Sequence, residues 1–419
     1  MWYALVEQQR QWLRAWHAAV EYAYDAWPAA ILPYAASYCA DLLEPLLGVA
    51  VDPPPFAIGS PAPDGLHSKV DEQIVMHTPF CDLRRFAGAQ ADKRRTVLLC
   101  VPLAGHAAVM MRETVEALLA DGAVCVTDWI DARDVPLSEG RFGLDEYVTM
   151  LDSFIDTLIQ DGRPLHVVAV CQSTFPVLGA LALRAQRGLA PPASITLIGG
   201  PLDASINPST LGVAAASHSL DWCRSHLIDT VPAGFAGHGR HVFPTYLQQA
   251  EITIVYPHRY VFLLNRYAQA ASGNDAAALA DARRVLREYT ALLDMPAEYF
   301  LDTVDIVFQR AMLAMRTWRV GGASGTLVEP AALRDVVLLT VEGTRDAVTG
   351  AGQTHAALEM CSGIAPDARQ RLDVGDCDHY GLFTGERWRN DVHPVLQAVF
   401  AQAEAGKAAV AARGHAANT

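Results

Sequence analysis

The chain has 419 residues, 51% of them hydrophobic and 19% charged, enough apolar material for one elaborated domain or two. A formal net charge of −14 argues against a nucleic-acid partner, which needs Lys and Arg to neutralise phosphates, and against electrostatic adhesion to anionic lipid. No uninterrupted apolar run reaches the ~18 residues of a spanning helix, so no transmembrane segment is expected.

Residues 1–69 read as an N-terminal helical extension. Trp2, Leu5, Val6, Leu13, Trp16, Val20, Tyr24 and Trp27 recur at helical spacing, with Glu7, Arg10, Arg14 and Glu21 between them. The plain reading is a helix packed on the main domain; the sharper one is an apolar contact surface or a homodimer interface. The start has no cationic stretch followed by an apolar run and a small-residue cleavage site. Pro53-Pro54-Pro55 closes the region as a stiff connection.

From residue 70 the pattern predicts strands at Gln73–His77, Thr96–Val101, Val124–Asp128, His166–Val170, Ser194–Ile198, Val336–Val341 and Arg371–Val374. Helical stretches at Arg112–Ala120, Leu144–Gln160 and Val177–Arg187 separate several of them. Short apolar strands alternating with helices predict an α/β fold with a mostly parallel central sheet covered on both faces. The rhythm stops after Gly200. The expected core is therefore 70–202 with 330–403, interrupted by a helical lid or cap insertion over 203–329. The Ala/Gly-rich stretch 404–419 reads as a disordered tail.

Cys171 organises the chemistry. The β-branched run Val167-Val168-Ala169-Val170 ends at it, and a helical apolar pattern begins almost at once. That is the strand–sharp turn–helix context of a nucleophile elbow. The turn admits only small residues two positions either side, here Ala169 and Ser173. Two strands further on, Val336–Val341 leads into Glu342-Gly343-Thr344-Arg345-Asp346, and Arg371–Val374 leads into Gly375-Asp376-Cys377-Asp378-His379. Nucleophile, acid and histidine in that order, each just past a strand, point to the triad Cys171, Asp346 and His379. Ser173 is the competing nucleophile, though one residue into the helix. Asp376 and Asp378 compete as the acid, but their proximity to His379 favours loop support. The oxyanion hole is assigned to the backbone N–H groups of Gln172 and Ala104. His106 is placed at the mouth as a substrate-binding or loop-shaping residue. Such a site calls for no metal and no cofactor. The remaining cysteines (Cys39, Cys81, Cys100, Cys125, Cys223, Cys361 and Cys377) show no paired metal spacing, and reduced thiols fit a cytoplasmic protein.

Several blocks together resemble the intracellular poly(3-hydroxybutyrate) depolymerases. They are Val101-Pro102-Leu103-Ala104-Gly105-His106 running on to Met111-Arg112-Glu113-Thr114-Val115; Thr127 to Leu137 with Gly140 to Tyr147; Val170-Cys171-Gln172; Glu342 to Asp346 with Gly352-Gln353-Thr354; and His379-Tyr380-Gly381-Leu382-Phe383 with Gly385 and Arg387-Trp388-Arg389. The resemblance implies an α/β-hydrolase fold with a lid, a cysteine nucleophile, cleavage of a storage polyester, and residence on intracellular polyhydroxybutyrate granules. Carried over by position, it reaches the same three triad residues. Two departures stand out: Asp131 where Asn is expected, and Ala104 where Ser is frequent.

Two other classes compete. A polyhydroxyalkanoate synthase-like acyltransferase uses a cysteine triad on this fold, but its elbow keeps glycines where this chain has Ala169 and Ser173. A non-catalytic granule-coat protein draws on the aromatic N-terminal helix, against which the intact triad argues. An ordinary small-ester hydrolase stays open as well, because fold does not set substrate.

Overall fold

The strand order of the central sheet determines where every loop ends. In the computed structural model, which describes residues 2–26, 53–61, 67–88, 94–273 and 275–416, eight strands form one sheet. They are β1 (Asp71–His77), β2 (Cys81–Ala87), β3 (Thr96–Cys100), β4 (Ala123–Trp129), β5 (Leu165–Val170), β6 (Ser194–Ile198), β7 (Val337–Gly343) and β8 (Arg369–Val374). Across the sheet they run β1-β2-β4-β3-β5-β6-β7-β8. β2 is antiparallel to both neighbours, and every pair from β4 to β8 is parallel. This is the order of an α/β-hydrolase. β3, β5, β6 and β7 are buried along their whole length, as strands covered on both faces must be.

Helices flank the sheet. Helix α1 (Trp2–Ala26) precedes it, α2 (Arg112–Leu118) follows β3, α3 (Leu144–Gln160) follows β4, and α4 (Thr174–Gln186) follows β5. Between β6 and β7 stand α5 (Thr210–Ser217), α6 (Leu220–His226), α7 (Thr245–Val255), α8 (Pro257–Ser272), α9 (Ala276–Thr290) and α10 (Ala297–Asp302). The chain ends in α11 (His393–Ala416), which packs on β6 and β7. The insertion also holds a three-stranded antiparallel sheet made by Asp229–Thr230, His241–Phe243 and Met295–Pro296, where the sequence pattern predicts helix and loop.

Arg240 ties the insertion to the core. It is buried, and its Nε, Nη1 and Nη2 donate to the carbonyls of Val135 (3.0 Å), Gly140 (2.9 Å) and Pro136 (2.6 Å). Its guanidinium also lies 4.9 Å from the Phe80 ring centroid. Asp131 adds a second tie, since its Oδ1 accepts from the Arg133 amide (3.0 Å) and from the Asp294 amide of the insertion (3.2 Å). The segment following β4 is thus the seat of the insertion.

The fold differs from the sequence reading in three further places. β2 is a strand that the reading omitted. Helix extends through 404–416 rather than a frayed tail: this stretch is rich in alanine, and Glu404 at its start pairs with Arg95 (2.7 Å) and His166 (3.2 Å). Helix α1 turns an unexpected face inward. Tyr3, Glu7 and Arg10 are buried, whereas Trp2, Leu5 and Trp12 are exposed. Specific partners decide this orientation. The Tyr3 hydroxyl donates to Asp294, its amide donates to Asp229 (3.0 Å), and Arg10 donates to the Thr245 hydroxyl (2.8 Å). The expected helix beyond Ala26, and Cys39, lie outside the described residues.

Candidate active site

β5 delivers Cys171 to the carboxyl end of the sheet. Cys171 has φ +54°, a left-handed conformation that costs a non-glycine residue energy and is characteristic of a strained elbow. A short 3-10 turn, Cys171–Ser173, then leads into α4. Ser173 holds this turn: its hydroxyl accepts from the Val170 amide (2.9 Å) and lies 2.7 Å from the Cys100 carbonyl and 2.8 Å from the Val170 carbonyl. Fully buried and so occupied, Ser173 is a structural residue rather than an exposed nucleophile. Gly200, just after β6, allows the elbow its space. A Cβ there would fall 1.8 Å from Thr174 Oγ1 and 2.6 Å from the Cys171 carbonyl.

The loops after β7 and β8 bring the acid and the histidine together. His379 Nδ1 lies 2.7 Å from Asp346 Oδ2, and both side chains are nearly fully buried. Asp346 Oδ1 accepts from the amides of Val348 (2.8 Å) and Thr349 (2.9 Å), which fixes the carboxylate. Glu342 braces the same loop by accepting from the amides of Gly352 (2.7 Å), Thr354 (2.7 Å) and His355 (3.0 Å). His379 and Cys171 line the same cavity, close enough for the sulfur to act on the imidazole. Burial disfavours its imidazolium, yet Asp346 and Cys171 outweigh burial and hold its pKa well above the ordinary histidine value. Asp376 instead pairs with Arg345 at the surface (2.8 Å), and Asp378 accepts from the Gly381 amide (2.8 Å). Both support the loop.

Cys171 is half-buried; the other six described cysteines are buried, with no disulfide among them. Burial pushes the thiols of Cys125, Cys361 and Cys377 up to about 12. Cys171 instead faces a cavity of about 230 Å³ that His379, Gln172, Ala104 and His106 also line. Its walls are otherwise largely apolar, with Phe243, Phe300, Phe308, Val304 and Ile252 from the insertion and Met110 and Phe383 from the core.

The loop after β3 is stapled to the insertion. Gly105, at φ +86°, donates its amide to Gln248 Oε1 (2.8 Å), and the Ala107 amide donates to the Ala291 carbonyl (2.8 Å). Gln248 is itself locked by donating to the Phe243 (3.0 Å) and Leu293 (2.9 Å) carbonyls. Ala104 sits between these staples, on the cavity wall with Gln172. His106 is buried with its Nε2 2.9 Å from the Tyr380 hydroxyl, and burial followed by the Arg259 charge lowers its pKa to about 3. A histidine that stays neutral shapes the loop rather than carrying protons.

Sequence reasoning overlooked the contribution of α7. Gln248, Glu251, Ile252 and Val255 share one face of that helix, and all four line the cavity. Nothing local to Gln248-Gln249-Ala250-Glu251 marks it as a cavity wall.

Comparison with known families places this geometry. Residues 199–404 match the family model described as PHB de-polymerase C-terminus. The C-terminal region of the chain, just under half of its length, is thus similar to that of the PHB depolymerases. The matched region contains Asp346, His379 and the whole insertion; Cys171 and Ala104 precede it. No curated protein matches the chain. Among solved structures, the chain is similar to a monoacylglycerol lipase of Paleococcus ferrophilus, at 12% identity and TM-score 0.45, covering 80% of this chain and 99% of the lipase. It is also similar to a 2-hydroxy-6-oxo-6-phenylhexa-2,4-dienoate hydrolase of Rhodococcus sp. strain RHA1, at 15% identity and TM-score 0.42, covering 79% of this chain and 99% of the hydrolase. At such low similarity neither bears on activity, and the strand order alone carries the fold. Among the described residues no helix of the chain is long and apolar enough to cross a membrane.

Proposed function

We propose that the protein is an intracellular polyhydroxyalkanoate depolymerase that cleaves poly(3-hydroxybutyrate) through a Cys171–His379–Asp346 triad. The observation that carries this reading is Cys171 at its strained elbow, facing an apolar cavity, with His379 held between it and Asp346. His379 takes the thiol proton and Asp346 steadies the resulting imidazolium. The sulfur attacks the ester carbonyl, and the amides of Gln172 and Ala104 receive the oxyanion. As the tetrahedral intermediate collapses, His379 returns its proton to the departing alkoxide and an acyl-thioester remains on Cys171. Water, deprotonated by His379, then releases the acid and restores the thiol.

An apolar cavity wall suits a polyester of short hydroxyacids. The exposed row Trp2, Leu5 and Trp12 on α1 supports contact with the granule surface; a second copy of the chain is the other partner that such a row fits. The lid role of residues 203–329 belongs to the same proposal, because those residues roof the cavity.

The test is release of 3-hydroxybutyrate from native amorphous granules by wild type and by Cys171→Ala, with folding of both verified. Release by wild type alone supports the reading. Equal release by both rejects Cys171 as nucleophile, and none by wild type moves the synthase and coat-protein readings ahead.

A further inference from the structure

Most hydrogen-bonding side chains on the cavity wall already serve the fold. Tyr380 meets His106, and Gln248 makes three hydrogen bonds. The Tyr256 hydroxyl accepts from the Ala347 amide (3.1 Å), and the Thr349 hydroxyl donates to the Gly199 carbonyl (2.7 Å). Gln172 Oε1 and Thr303 Oγ1 also lack a partner there, but Glu251 is the one carboxylic acid among the described lining residues. It lines the cavity from the middle of α7, and among the described residues no hydrogen bond or ion pair engages it. Its neighbours on that helix face, Ile252 and Val255, are apolar, as are Phe243, Phe300 and Val304 on the same wall. Burial alone raises its carboxyl pKa to about 7.

A carboxyl group in such a place stabilises nothing in the empty protein. An aliphatic side chain would pack there at lower cost, and an unpaired polar group in a concave apolar site is how proteins orient a ligand. Glu251 has both of its oxygens to offer. As a carboxylate it accepts from a hydroxyl, and as the neutral acid it can accept or donate. A plain alkyl chain satisfies neither form.

We propose that Glu251 recognises the free hydroxyl of a hydroxyacyl chain whose carbonyl lies at Cys171, making the site selective for hydroxyacyl esters over plain acyl esters. The inference rests on the reading of Cys171 as nucleophile, and it adds the group that selects the acyl chain. A site built to bond a substrate hydroxyl discriminates against the analogue lacking it, because that analogue leaves the site's polar group unpaired; an apolar pocket of the same shape does not.

The experiment compares wild type, Glu251→Gln and Glu251→Leu on matched esters. The substrates are the 4-nitrophenyl esters of 3-hydroxybutyrate and of its linear dimer, each beside the ester with the terminal hydroxyl replaced by hydrogen. The readout is the ratio of kcat/KM between hydroxyl and deoxy partners. Wild type is expected to favour the hydroxyl ester at one chain length or both. Glu251→Leu should lower that ratio by about 10- to 100-fold, the effect of one hydrogen bond to a charged group, with Glu251→Gln between the two. Glu251→Gln keeps the size of the side chain, so it decides the matter should the leucine variant fail to fold. A ratio that stays the same in all three proteins, or a wild-type ratio near one at both lengths, overturns the proposal. Cys171→Ala separates the two readings. Full ester turnover in that variant rejects the nucleophile, whereas loss of turnover with an unmoved Glu251 ratio rejects only the role of Glu251.

Discussion

The imidazole of His106 and the hydroxyl of Tyr380 meet at 2.9 Å, joining the loop after β3 to the loop that carries His379. One loop holds the proposed oxyanion donor Ala104, the other the proposed base. Arg259 of the insertion covers the joint, its guanidinium 4.3 Å from the Tyr380 ring centroid. Tyr380→Phe removes the hydrogen bond and leaves a buried imidazole nitrogen unpaired. Stability should fall by about 1–3 kcal/mol. Ester kcat should drop roughly 10-fold as oxyanion donor and base lose their register. Thermal melts and steady-state kinetics check both.

Asp346→Asn tests the charge behind His379. Burial opposes the imidazolium, and Asp346 and Cys171 overcome it, so His379 has a raised pKa in the folded protein. A histidine raised in this way contributes stability that is fully present below its unfolded pKa of about 6.5 and is lost as pH rises through the folded value. Without the Asp346 charge the folded pKa falls. The asparagine variant should therefore lose more stability at pH 6 than at high pH, and the acidic limb of its kcat/KM profile, set by protonation of the His379 base, should move to lower pH. The rate at the optimum should fall by about 100- to 10,000-fold, as when the orienting acid of a serine triad is neutralised.

Glu251 follows the same sign of pH dependence, but replacing it should stabilise the protein rather than weaken it. Its folded pKa of about 7 lies above the ordinary carboxyl value of 4.5, so its contribution is fully present below 4.5 and is lost as pH rises through 7. Glu251→Gln should match wild type in melting temperature at pH 4 and exceed it at pH 8. The gain at pH 8 should be on the order of 1–3 kcal/mol, less where the cavity admits water. Melting curves at the two pH values measure it.

Ser173→Ala distinguishes a turn-holding serine from a nucleophile. Its hydroxyl serves the Val170 amide and the Cys100 carbonyl inside the core. The alanine variant should be less stable by about 1–3 kcal/mol while still forming an acyl-enzyme at Cys171. Denaturant melts give the first quantity and intact-protein mass spectrometry the second.

The route from β5 to Cys171 is legible in the sequence because a run buried on both faces is uniformly apolar, and its abrupt end marks the elbow. Asp346 and His379 are legible for the same reason: β7 is such a run, and β8 ends in the Leu372-Asp373-Val374 step before its loop. β2 escaped because Asp82, Arg84 and Arg85 break its apolar character; it lies near the sheet margin, where charged side chains reach water. The helical period of α1 is plain, yet its buried face was not. Asp229, Thr245 and Asp294, more than two hundred residues away, select Tyr3 and Arg10 over the tryptophans. Glu251 is silent in the sequence for a related reason. A lone acid on a helix reads as solvated until the fold sets that helix against a cavity.

The central claim is that the Cys171 sulfur becomes acylated with His379 as its base. Brief reaction with 4-nitrophenyl 3-hydroxybutyrate, acid quench and peptide mass mapping test it most directly. The predicted result is a hydroxylamine-labile acyl adduct on the peptide containing Cys171, accumulating in wild type and missing in His379→Ala. An adduct on Ser173, or continued turnover in Cys171→Ala, would contradict it.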